Sequence, residues 1–191
     1  MLAIFKREFK SYFQNVIGWL FVAALLAVYG LYFYVYNLKN GYPYISYDLK
    51  GIGFIMMIAV PILTMRSLSD EKKTKTDQLM LTSPVSVGKI VAGKYFAMAA
   101  VYTIDIALFA LSPLVLSIYG KVALSEAYVA LFGYWLYGLS CIAVGLFISS
   151  ISESVIISAI LTFTTLFLSY MMQSITGLIS SSGNLLTKVL N

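Results

Sequence analysis

Residues 52–65, IGFIMMIAVPILTM, run for fourteen positions without a charge, and residues 66–97, RSLSDEKKTKTDQLMLTSPVSVGKIVAGKYFA, follow at once with nine charged side chains. A helix needs about 20 apolar residues to cross a hydrocarbon core, so the first piece is short. It must recruit residues 47–51 or lie partly against protein. After the charged joint the chain turns apolar again from Tyr95 to Ile118, broken only by Asp105 and Pro113. Apolar run, charged joint, apolar run is the pattern of a chain threading a bilayer.

The pattern extends outward in both directions. A first apolar stretch covers Val16 to Tyr36, a fourth covers Ala127 to Ile151 and a fifth covers Val155 to Ile179. None alternates with the period of two that a barrel strand requires, and helices satisfy their own backbone in lipid. The reading is an all-α polytopic membrane protein with five transmembrane helices, a single transmembrane domain over residues 1–191. Composition agrees: 60% of the 191 residues are hydrophobic and 11% charged. A soluble domain has about 45–50% and 25%, so both a soluble fold and disorder are excluded. The first stretch is longer than the 7–15 apolar residues of a cleaved signal and ends in a tyrosine-rich segment, so it reads as a permanent span.

Several function classes drop out. There is no histidine, which removes Ser-His-Asp and Cys-His catalysis and His-ligated metal sites. The single cysteine, Cys141, allows no internal disulfide. The net charge of +5 is too sparse and interrupted for nucleic acid; lipid headgroups or a cytoplasmic partner account for it better. No Gly-x-x-x-x-Gly-Lys-Ser/Thr loop is present, so this chain itself cannot supply ATP hydrolysis and no cofactor is expected on it.

Lysines and arginines set the orientation. Lys6, Arg7 and Lys10, with Arg66, Lys72, Lys73, Lys75, Lys89 and Lys94, make nine of the thirteen basic residues. They place the N-terminus and the joint between spans two and three in the cytoplasm. Tyrosines 29, 32, 34, 36, 42, 44 and 47 then stand near the outer face, as an aromatic belt or, for the deepest, as apolar filling. Residues 1–15 differ from the spans. Leu2, Phe5, Phe9, Tyr12 and Phe13, with Val16, fall within an arc of about 100° opposite Lys6, Arg7 and Lys10, the design of an interfacial amphipathic helix. Gly18 permits the bend into the membrane.

Within the joint, residues 67–88, a charged run gives way to Leu79, Met80 and Leu81, and Pro84 stops that short helix. Ser86 is placed to cap the helix leading into the third span. Ordinary positive-inside charge explains the lysines but not an apolar triplet set between charge and proline. A short cytoplasmic helix that docks a partner explains both.

The order of acidic–basic cluster, Thr76, the Leu79–Leu81 triplet, Thr82-Ser83-Pro84-Val85-Ser86 and Lys89-Ile90-Val91-x-Gly93-Lys94-Tyr95 resembles the ABC-2 type permeases, membrane subunits of ATP-driven bacterial transporters, mostly exporters. Within them it is similar to the small permeases of the gliding-motility and copper-accessory type. The resemblance implies a cytoplasmic ABC ATPase dimer and a second permease subunit as partners. It implies a coupling helix between spans two and three, with Arg66, Asp70, Glu71, Thr76, Leu79, Met80, Leu81 and Pro84 on the coupling face. The family often has glycine before its threonine and leucine-rich triplet; Lys75 stands there, which predicts a more helical joint. Six spans are usual, whereas Ser180-Ser181-Ser182-Gly183-Asn184 reads as an outer loop after the fifth.

Asp105 is a carboxylate in mid-span, either a proton or cation site or a polar contact in a subunit interface, or else satisfied by Thr103, Tyr102 or a neighbouring helix. Glu153 reads as a helix cap or an ATPase contact. Arg66 stands one helical turn from Asp70 and Glu71, a pairing distance. Gly133, Gly138, Ala143 and Gly145 give the fourth span a small surface for close packing. A secondary transporter or channel using Asp105 is the alternative to the permease, weakened by the absence of an evident inverted repeat. An intramembrane enzyme lacks a second buried Asp.

Overall fold

The computed structural model describes the backbone of residues 2–75, 86–119 and 122–189, and side chains within these up to Met172. Every regular element among the described residues is helical. Five of the helices are long and apolar enough to cross a membrane.

An N-terminal helix, Leu2–Gln14, precedes the first span, Val16–Phe33. Extended backbone at Asn15 separates them. The corner is close-packed: a Cβ on Gly18 would come within 2.5 Å of the Tyr12 carbonyl oxygen, so only glycine lets the two helices meet there. Phe5, Phe9 and Phe13 form a run of ring contacts that ends edge-on against Trp19, whose indole N–H donates to the Phe13 carbonyl at 2.9 Å. Lys6, Arg7 and Lys10 are exposed on the opposite side, as the amphipathic pattern requires. The aromatic face is not given wholly to lipid. It packs against the start of the third span, where Gly93 leaves room for Ile4.

The first span continues as a π turn, Tyr34–Lys39, which brings Asn37 inward to hydrogen-bond Asp48, so Asp105 is not, as the sequence suggested, the one buried aspartate. The second span, Ser46–Thr64, begins earlier than its uncharged core and contains Pro61, so the short run does recruit the residues before it. It lies in the middle of the bundle, packed on the first, fourth and fifth spans, and half of its most apolar stretch is buried. The third span, Val87–Phe109, breaks at Ala110 and Leu111 and resumes as Ser112–Tyr119, with Pro113 near the restart where its missing N–H costs nothing. Ser112 accounts for the break locally: its hydroxyl donates to the Phe109 carbonyl at 2.7 Å and also meets the Tyr29 hydroxyl. Tyr29 is therefore core, whereas Tyr34, Tyr42, Tyr44 and Tyr47 are exposed.

The fourth span is Leu124–Ile151 and the fifth helix Val155–Val189. Its backbone carries straight through Ser180–Asn184, so the expected loop is not there. Serine is only mildly unfavourable in a helix, and one glycine costs about 1 kcal/mol, too little to end a helix with apolar residues on both sides. Glu153 stands just before this helix, exposed and without a hydrogen bond among the described residues.

Glycines on the fourth span decide how closely the bundle packs. A Cβ on Gly138 would lie 2.3 Å from the Tyr102 ring, and one on Gly145 would lie 2.5 Å from the Thr64 hydroxyl. Tyr102 also donates to the Tyr134 carbonyl at 2.8 Å, locking the third span to the fourth. Gly133 differs, for a Cβ there meets nothing within 4 Å. Gly138→Ala should therefore cost about 1–3 kcal/mol through overpacking, while Gly133→Ala should be neutral or slightly stabilising. Thermal unfolding of the two variants in the same detergent measures the contrast.

Candidate functional site

At the end of the second span the helix stops, and its last carbonyls and the N–H groups of the following turn need partners. Met65–Leu68 form that turn and Ser69–Lys73 a short helix. Ser149 of the fourth span supplies most of what is missing. Its Oγ accepts the N–H groups of Leu68 and Ser69, both at 3.2 Å, and donates to the Met65 carbonyl at 3.3 Å.

Lys94 of the third span completes the arrangement. Its side chain is 1% exposed, and its Nζ donates to the Ser67 carbonyl at 2.9 Å and to Glu71 at 2.7 Å. Glu8 of the N-terminal helix lies 3.5 Å away on the same ammonium and also holds Arg7 at 2.7 Å. A buried ammonium is tolerable only with such compensation. Tyr12 adds a second tie, its hydroxyl donating to the Leu63 carbonyl at 3.4 Å. Burial first, and the neighbouring Glu8 second, push the Tyr12 phenol above its ordinary pKa, so it remains a donor. Beside these groups lies a polar cavity of about 550 Å³ with Arg7, Glu8, Arg66, Asp70, Glu71 and Lys94 in its wall.

The start of the joint is thus held by three other elements. Of the residues placed on the coupling face, Arg66 and Asp70 are exposed and Glu71 is half-buried against Lys94. Thr76, Leu79, Met80, Leu81 and Pro84 lie outside the described residues. Arg66 makes no ion pair with Asp70 or Glu71 among the described residues, because the turn at 65–68 breaks the helical spacing that would align them. Nor is the first part of the joint a longer helix. Lys75 has φ of 55°, the left-handed conformation that ends a helix and that favours glycine. Ser86 occupies the cap position of the third span through its carbonyl, which accepts from Lys89 and Ile90, with no side-chain cap bond.

Asp105 is completely enclosed, and neither carboxyl oxygen has a hydrogen-bond partner among the described residues. The neighbours expected to satisfy it are engaged elsewhere, Tyr102 on Tyr134 and Thr103 on the Ala99 carbonyl at 2.7 Å. Lys94 and Asp105 share one buried stripe of the third span with Ile90, Ala97 and Val101, eleven residues and roughly 16 Å apart.

Lys94, Ser149, Glu8 and Tyr12 carry the clamp, and sequence reasoning did not single them out for it. A signal existed for Lys94, which falls at helical spacing on that apolar stripe, where a lysine demands a partner.

The fold defines a multi-pass helical membrane protein with a clamped joint between its second and third spans. The family described as ABC-2 family transporter protein matches residues 10–190, and the chain belongs to that family. No curated protein and no solved structure shows significant similarity to it.

Replacing Lys94 by Met removes the ammonium shared by Glu71, Glu8 and the Ser67 carbonyl, a loss of about 3 kcal/mol at the joint. Trypsin cleavage at Lys72 and Lys73 in the folded, detergent-solubilised protein should accelerate by about tenfold or more as the joint opens locally. Adding Glu71→Gln to Lys94→Met should restore part of the protection by removing the carboxylate that faced the lost ammonium.

Proposed function

We propose that this chain is the membrane subunit of an ATP-driven exporter, paired with a second permease subunit and worked by a cytoplasmic ABC ATPase dimer that docks on the joint at 67–88. ATP and Mg are bound and used on that ATPase, and this chain supplies the path and the mechanical link. In this reading the protein sits in a bacterial plasma membrane with its N-terminus and joint in the cytoplasm, in keeping with nine of thirteen basic residues on that side. The type of small permease it resembles most is the gliding-motility and copper-accessory one.

The observation that carries the reading is the Lys94 clamp. The joint is continuous with the second span, tied to the third through Lys94, to the fourth through Ser149 and to the N-terminal helix through Glu8. A displacement imposed on the joint by an ATPase therefore reaches four elements at once. Close contacts at Thr64–Gly145 and Tyr102–Gly138 carry it along the bundle as a tilt, since packed interiors do not compress. The Leu79–Leu81 triplet is the docking surface in this scheme, and Arg66, Asp70 and Glu71 stand at the hinge behind it.

Affinity purification of the tagged protein from its native membrane should bring down, in near-stoichiometric amount, a protein with Walker motifs and ATPase activity. Replacing Leu79 and Leu81 together by Asp should leave membrane insertion intact and abolish both ATPase recovery and transport. A double variant that still recovers its ATPase and transports normally would show that docking happens elsewhere.

A further inference from the structure

Gly133 is free of packing contacts because it opens onto a cleft. The cleft, about 650 Å³, lies between the second, fourth and fifth spans at the end of the bundle away from the joint, with Lys50, Gly53, Gly133, Tyr134, Tyr137 and Tyr170 in its wall. A Cβ on Gly53, like one on Gly133, would meet nothing within 4 Å. Neither glycine serves helix packing, and both leave room. The size falls in the range of small-molecule sites, about 300–1,000 Å³.

Its charge is one-sided. Lys50 is the only charged residue among the described lining residues, and it forms no ion pair among the described residues. Its ammonium rests 5.9 Å from the centre of the Tyr47 ring. Asp48, two positions away, is turned into the core and held by Asn37, so it does not neutralise Lys50. Apart from Ser46 and Ser169 the rest of the wall is apolar and phenolic, and the Tyr134 hydroxyl is buried without a partner among the described residues. Along the fourth span the lining runs from Ala130 to Tyr137, roughly 10 Å of helix. The cleft is open along its side, where Tyr137 and Tyr170 are each 40% exposed. A cation at the mouth, a largely apolar body roughly 10 Å deep and a lateral opening match a molecule with an anionic head and a hydrocarbon chain.

We propose that this cleft binds an anionic amphiphile, its head on Lys50 and its chain along Gly53 and Gly133, and that this is the chemical class of the cargo. The cargo assignment rests on the permease reading; the binding does not.

The experiment is lipid retention by the purified protein, with no ATPase present. Protein in detergent is given equal phosphatidylglycerol and phosphatidylcholine of identical chains, and bound lipid is counted by native mass spectrometry. The wild type should prefer phosphatidylglycerol by about fivefold, the effect of one lysine on an anionic head. Lys50→Gln should erase that preference, while Lys39→Gln, an exposed lysine outside the cleft, should keep it. Gly133→Leu should lower retention of both lipids by filling the space, its Cβ entering the cleft without a clash. Equal binding by the wild type, an equal loss in Lys39→Gln, or full retention in Gly133→Leu would each overturn the proposal. So would efficient disulfide cross-linking of Tyr170→Cys between chains, which would make the cleft a contact between two copies. These outcomes leave ATPase docking untouched, and a failed ATPase recovery leaves the binding measurement standing.

Discussion

A single ammonium, that of Lys94, holds the face of the bundle where the chain leaves and re-enters the apolar spans. Burying a charge is costly, and the cost fixes geometry: carboxylates from two separate helices and a backbone carbonyl must all come to it. Replacing the set with apolar groups could hold the helices as firmly. It could not specify which turn of the N-terminal helix meets which residue of the joint. The charge network acts as a register mark, and the polar cavity beside it exists because these groups converge there.

Away from that face the bundle depends on contact rather than charge. The fourth span comes close to the second and third only because glycines replace side chains opposite Thr64 and Tyr102. The same helix uses a third glycine to do the opposite and stand clear. One span thus combines a close-packed half near the joint with an open half beyond it. Asp105 sits on the third span, enclosed by the chain's own packing, so its carboxyl faces neither the cleft nor any outer surface.

Much of this was legible in the sequence, and the parts that were not share a cause. The spans could be read because apolar length is a property of one segment at a time. The amphipathic N-terminal helix was legible for the same reason. Lys94 was read as one more positive charge of the joint, because its partners come from residues 8 and 71 and no local pattern announces them. The packing role of Gly138 and Gly145 was legible as a small-residue surface, but Gly133 belonged to the same pattern and behaves otherwise. Its environment depends on where the second and fifth spans lie. The serines at 180–182 suggested a loop, but serine is permissive rather than breaking, and the helix continues. Lys75 was expected to lengthen the joint helix, yet the chain's path imposed a turn there and the side chain followed.

The π turn at Tyr34–Lys39 has an evolutionary corollary. A π turn fits one more residue into a helix than an α turn does, usually by a single insertion, and such insertions are retained where they place a useful side chain. Here that side chain is Asn37, which meets Asp48 across the gap between the first two spans. The π turn, the asparagine and the aspartate form one structural unit. Replacing Asn37 alone would leave the Asp48 carboxylate buried without this donor, so the two positions are energetically coupled.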